Sequence, residues 1–385
     1  MRIRPPDRAP AGRSKPGFAL AAALFALVVI AALVGGAFFA ARQELRVGLN
    51  HRWSEQASGA AEAGLLAALT EGSAGRWRTV AAGDSLGFFG SLPSGTGRYA
   101  GAVHRLNAQL FLVRATGVDV AGQSERTVGA LARLVPWPIR PPAALTVRGA
   151  LQMDGTAWID GRDGAPAGWT DCPASEQDSL PGLALRSLTD LRTDGCAGLA
   201  CITGTPRVRA DSAVGDAALL ERSGLDWGAL VAMADKIYTG ASVGTITPVP
   251  AVSGSTCDVS VRDNWGEPRR QVPEAPCQDH FPIVYVDGDL TLGGGRGQGI
   301  LLVRGDLDIS GGTEFTGLVV TTGRLRLAEG GGLLVGAVLV LNGGNDPSTL
   351  GGGSAVRLST CALAAAGWPA APARAFRDRF WLDLY

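Results

Sequence analysis

Lysine is almost missing from this chain: only Lys15 and Lys236 stand among its 35 basic residues, and the rest are arginine. The formal net charge is zero and no basic cluster occurs beyond Lys15. Phosphate neutralisation takes clustered Lys and Arg, so recognition of nucleic acid through the bulk of the chain is excluded. Histidine is as scarce. His51, His104 and His280 are scattered, so each reads as a structural or solvated residue and no catalytic constellation can be built on them. The most informative absence is charge in residues 18–41. A run of about 24 apolar residues spans about 36 Å as a helix, enough to cross a bilayer once. Arg2, Arg4, Arg8, Arg13 and Lys15 precede it against Asp7 alone, a bias that holds the N-terminus in the cytoplasm and exports the remainder of the chain. A cleaved secretory signal would show a shorter apolar core and a small-x-small site behind it.

The junction Gly17-Phe18, a basic leader ending in Gly before an uninterrupted apolar helix, resembles a type IV prepilin. The resemblance implies that prepilin peptidase cuts between Gly17 and Phe18 and methylates the new amine of Phe18. One position departs: the family carries Glu at the fifth mature residue, and Ala22 stands there. That carboxylate pairs with a neighbour's amine in bulk subunits, and its absence is shared by subunits at filament tips. Leu45, Leu49, Trp53, Ala57, Ala61, Leu65 and Leu69 recur every fourth residue, which continues one amphipathic helix to residue 70, about 80 Å in all. The tract Ala60-Ala61-Glu62-Ala63-Gly64-Leu65 resembles the close of this helix in PilX-like minor pilins. Gly35-Gly36 marks a point where the helix can unwind, since each glycine costs about 1 kcal/mol relative to Ala.

Residues 98–106, 109–115 and 125–134 alternate with period two and read as an antiparallel meander in a unit spanning 71–135. The proline cluster at 136–142 ends it. In 143–385, turn glycines Gly288, Gly305 and Gly323 recur at a near-constant spacing, with Gly299, Gly317 and Gly336 interleaved at almost the same interval. Short apolar strands at that period predict a parallel β-solenoid. Residues 145–160 share the grammar and read as its first rung, with 162–280 inserted behind it. Within the insertion, 216–238 reads as a helix. Residues 354–363 read as a last strand, and the aromatic tail 379–385 is of a kind seen in PilX-like proteins. The expected fold class is α+β: leader 1–17, helix 18–70, meander 71–135 and solenoid head 143–385.

Cys172, Cys196, Cys201, Cys257, Cys277 and Cys361 make a disulfide framework in an exported chain, one of 15 possible pairings. Cys257 with Cys277 is the preferred local bridge. The spacing of Cys196 and Cys201 is also loosely that of metal ligands, but no histidine stands nearby. Residues 293–299 look like a phosphate loop, yet lack its Gly-Lys-Ser/Thr ending and read as a solenoid turn. Asp287, Asp289, Asp306 and Asp308 fall at equivalent rung positions: solvated turn formers, a calcium ladder, or the carboxylate pair of a polysaccharide-cleaving β-helix. No catalytic residue, cofactor or metal is assigned. The resemblance implies a non-enzymatic minor pilin or pseudopilin of a type IV pilus or related filament. Its partners would be prepilin peptidase, other major and minor pilins, the inner-membrane assembly platform and the membrane. The alternative is an inner-membrane-anchored β-helix protein that binds or cleaves envelope polysaccharide.

Overall fold

The computed structural model describes residues 16–384 except 72–76, 78–79, 173–178, 197–198, 215–225, 271–274, 342–345, 377–380 and a few isolated positions. Leader residues 1–15 and Leu219 and Leu220 of the expected helix lie outside the described residues. A single helix, α1 (Pro16–Glu71), opens the fold. Pro16 takes its first position, where a missing N–H costs nothing. Ala57, Ala60, Ala61, Leu65 and Ala68 bury one face of its last turns. The apolar stripe expected from Leu45 meets the head only near Trp53, because the strands beneath reach no further: Leu45 is 65% exposed and Leu49 37%.

Those strands are β1 (Ser85–Ser91), β2 (Gly97–Arg105), β3 (Leu110–Asp119) and β4 (Glu125–Leu134), an antiparallel meander. Three lie where the alternation places them, although β3 runs on to Asp119 into the expected turn. The alternation does not reveal β1, since Gly87 and Gly90 interrupt its apolar residues.

A first arm of the parallel sheet follows: β5 (Leu145–Val147), β6 (Leu151–Asp154), β7 (Trp158–Asp160), β8 (Leu183–Leu185), β9 (Leu191–Asp194), β10 (Ile202–Thr203) and β11 (Val208–Ala210). The short helix α2 (Trp227–Ala232) lies in the crossover to the second arm. That arm holds β12 (Lys236–Ile246), the hairpin β13 (Val252–Ser253) and β14 (Thr256–Cys257), β15 (Ile283–Gly293), β16 (Arg296–Val303), β17 (Leu307–Ser310), β18 (Thr313–Thr321), β19 (Leu325–Leu327), β20 (Gly332–Val340), β21 (Ser348–Leu350) and β22 (Ala355–Leu358). Helix α3 (Thr360–Ala366) comes next, and β23 (Ala373–Ala375) and β24 (Trp381–Leu384) both return to β4, leaving the first sheet five strands wide.

The curled sheet is solenoid-like, but its order differs from the simple winding expected. One wall runs β12-β15-β16-β18-β20-β5-β8-β11, and a second runs β15-β17-β19-β21-β6-β9. A third runs β16-β18-β20-β22-β7-β10. Residues 145–160 are therefore not the first rung. They stack in the middle, against the last coil of the second arm. Much of the expected insertion builds further coils: β8 to β11 extend one end and β12 caps the other. The stack is a permuted solenoid that the chain joins at its centre, winds to one end, leaves for the opposite end, and winds back to the centre.

Two further expectations change. Of the helix expected over 216–238, residues 216–225 lie outside the described residues, α2 covers Trp227–Ala232, and Lys236, Ile237 and Tyr238 pair as a strand with β15. Pairing with an open sheet edge outweighs the weak helical period there. The last strand stops at Leu358, because the Ser359 side chain accepts from the N–H of Ala362 and starts α3.

Leu290, Leu292, Leu307, Ile309, Leu325 and Leu327 form one inward apolar column. Ile300, Leu302, Leu318, Val320 and Leu339 face outward on the first wall, where Leu230 of α2 and Leu363 and Ala366 of α3 cover them. Burial on both faces explains why residues 300–303 of β16, 318–320 of β18 and 337–340 of β20 are apolar without a break. Gly299, Gly317 and Gly336 stack in register with positive φ, and a Cβ on Gly317 or Gly336 would collide with the carbonyl of the glycine one coil away.

Candidate functional site

From Ala19 onward the first half of α1 is exposed on every side. Phe25 is 72% exposed and Phe38 65%, and the apolar window is unburied throughout. Such a surface is stable only in lipid or against other apolar helices. Gly17 and Phe18 lie in the first turns of this helix, and Ala22 follows one turn later. Nothing lies within 4 Å of where a Cβ would stand on Gly35 or Gly36, so packing within the molecule does not require glycine at either position.

The second half of α1 shows what the tract at 60–65 does physically. A Cβ on Gly117 of β3 would collide with the Ala57 carbonyl and the Ala61 amide, and one on Gly64 would enter the Tyr99 ring of β2. Small residues on both sides thus let helix and sheet backbones approach closely. Arg126 donates to the Ser54 hydroxyl at 2.9 Å, and Trp77 packs on Phe111 with ring centroids 5.1 Å apart. Period alone does not reveal Gly117 or Tyr99, because their role depends on the partner element.

Three of the four rung carboxylates, Asp287, Asp289 and Asp306, are taken by the neighbouring coil, whereas Asp308 keeps a buried oxygen without a hydrogen-bond partner. Asp289 accepts from the N–H of Asp306 at 2.8 Å, and Asp306 accepts from the N–H of Arg324 at 2.9 Å. Arg304 pairs with Asp287 at 3.4 Å and Arg324 with Asp306 at 2.9 Å. This ladder of carboxylate to next-coil amide engages Asp289 and Asp306, two of the four carboxylates weighed from sequence for calcium or hydrolysis. Among the described residues no three His, Cys, Asp or Glu side chains gather as metal ligands. An open groove of about 650 Å³ beside the ladder is lined by Asp154, Arg324, Arg326, Asp346 and Thr349, with charges of both signs. His51 lies on α1 within 3.9 Å of Glu55, His104 on β2, and His280 in the loop before β15, where burial pushes its pKa down.

All six cysteines are bridged: Cys172 to Cys361, Cys196 to Cys201 and Cys257 to Cys277. Cys196 and Cys201 are thus a disulfide and not a metal pair. Cys172 and Cys361 are 189 residues apart, a pairing no spacing rule singles out. Lys236, half of the chain's lysine, is buried at the β12 end and donates to the carbonyls of Val259 and Val261 at 2.6 and 2.8 Å, tying the loop over that end.

No family model matches the chain, and no curated protein matches it. Among solved structures, the competence-associated pilin ComZ from Thermus thermophilus aligns at 14% identity over 86% of this chain and 97% of that one, with a TM-score of 0.22. That overlap is too slight to speak for fold or function.

Proposed function

We propose that the chain is a non-enzymatic minor pilin or pseudopilin, in the manner of the PilX-like group, processed by prepilin peptidase and assembled into a type IV pilus or related filament. The observation that carries this reading is α1. It is one unbroken helix, apolar and unpartnered for its first half, packed by small residues onto an antiparallel meander for its second, and its first turn holds Gly17-Phe18. A plain membrane anchor needs about 20 residues, and the helix runs about 30 residues further as a rigid rod joined to the head. In this reading the chain starts in the inner membrane with its N-terminus in the cytoplasm. The assembly platform and other pilins then receive the helix, and the solenoid is displayed for priming or adhesion. Ala22 in place of Glu fits a subunit used in few copies, as at a tip.

Fractionation of the native host tests it. An epitope-tagged chain should appear in sheared or extracted filaments and vanish from them when Gly17→Val blocks processing. A chain found only in the inner membrane, with or without Gly17, supports the anchored glycan-binding alternative instead.

A further inference from the structure

At the centre of the solenoid two arms distant in sequence meet. Residue 340 lies beside 147, 350 beside 153 and 357 beside 160, with three registered pairs in each wall. The neighbouring β18 to β20 junction has nine in a single strand pair. Its two sides belong to strands far apart in the sequence, joined along the chain through the crossover that holds α2. Side chains span it as well: Arg357 of β22 lies over the Trp158 ring of β7, 5.8 Å from its centroid. Asp163, just beyond β7, accepts from the N–H of Thr360 at 2.8 Å and from its hydroxyl, at the start of α3. Beside it, Cys172 is bonded to Cys361, the one long-range bridge, whereas the other two span 5 and 20 residues.

We propose that this seam is a redox-sealed closure: Cys172–Cys361 holds the two arms together as one solenoid, and its formation after export completes the head. Sealing joins two thiols as a disulfide, releasing two protons and passing two electrons to a thiol–disulfide oxidant of the exported compartment. Before Cys361 has been exported, the β5, β6 and β7 edges of the first arm lack their partners. The bridge therefore closes only a chain whose second arm has arrived. This holds whether or not the chain enters a filament.

Amide hydrogen exchange on the full chain in detergent micelles tests the closure. The seam is reported by four amides whose bonds cross it, those of Arg148, Trp158, Val338 and Ser348. The interior of the arms is reported by Leu183, Ile300 and Leu307. In Cys172→Ser with Cys361→Ser, seam amides should exchange at least about tenfold faster while the interior amides keep their rates. Cys196→Ser with Cys201→Ser should leave the seam unchanged. Equal acceleration of seam and interior, or none at the seam, overturns the proposal. If the paired serine variant does not fold, Asp163→Ala with the bridge intact decides: faster exchange confined to the seam supports a closure there, and a uniform or absent change refutes it.

Discussion

Asp160 and Arg162 lie two residues apart at the exit of β7, with the carboxylate bonded twice by the guanidinium at 2.9 Å and once by the Thr203 hydroxyl at 2.6 Å. The Arg162 bond, helped by Thr203 and opposed by burial, lowers the Asp160 pKa from 3.8 to about 2. A folded value below the unfolded one means the contribution is whole above about pH 4 and is lost as the pH falls through 2, a change of about 1–2 kcal/mol. Asp160→Asn should therefore be less stable than the parent at pH 5 by about that amount and show a flatter acid limb, read by urea denaturation at pH 5 and pH 2.5. The rung ladder invites a second comparison. Leu307 is fully buried in the inward column, so Leu307→Ala should cost about 2–5 kcal/mol. Asp306→Ala removes a bond to the Arg324 amide and a half-exposed ion pair, and should cost about 1 kcal/mol. Equal losses in the same denaturation experiment would contradict a solenoid core with surface ladders.

At the level of elements, the contact of α1 with the meander is set by backbone approach more than by large side chains. Gly117→Ala puts a methyl where Ala57 and Ala61 already sit and should lower stability by about 1–3 kcal/mol, measured by thermal unfolding. An unchanged midpoint would mean the helix does not lie on that glycine. The opposite edge of the meander, β1, carries no charge or proline, pairs among the described residues with β2 alone, and leaves Phe89 88% exposed. Open apolar edges template association. Phe89→Lys should keep the fold within about 0.5 kcal/mol and reduce self-association of the detergent-free head fragments released by proteolysis, followed by light scattering. The sequence showed α1, β2, β3 and β4 because each buries one face and leaves the other in solvent, a pattern that survives in residue order. It hid β1, whose glycines erase the alternation, and it overextended α2, whose flank finds a sheet edge far away in sequence.

For the whole molecule, the period of the glycines revealed the coils of the second arm, since each coil meets its neighbour at a near-constant offset in sequence. It could not reveal the seam. Pairing of β5 with β20 depends on a contact between distant parts of the chain that leaves no period, and the Cys172–Cys361 bridge is legible only once that seam is known. The proposed processing site is read from local features alone: charge, Gly17, Phe18 and an apolar run in order. On that junction rests the central claim, that this long helix belongs to a processed filament subunit and not to a permanent anchor. The direct measurement is mass spectrometry of the N-terminal peptide from native membranes of a host with active prepilin peptidase. A processed subunit begins at N-methylated Phe18, with Lys15 gone and Lys236 its only lysine; an intact leader from Met1 would contradict the claim.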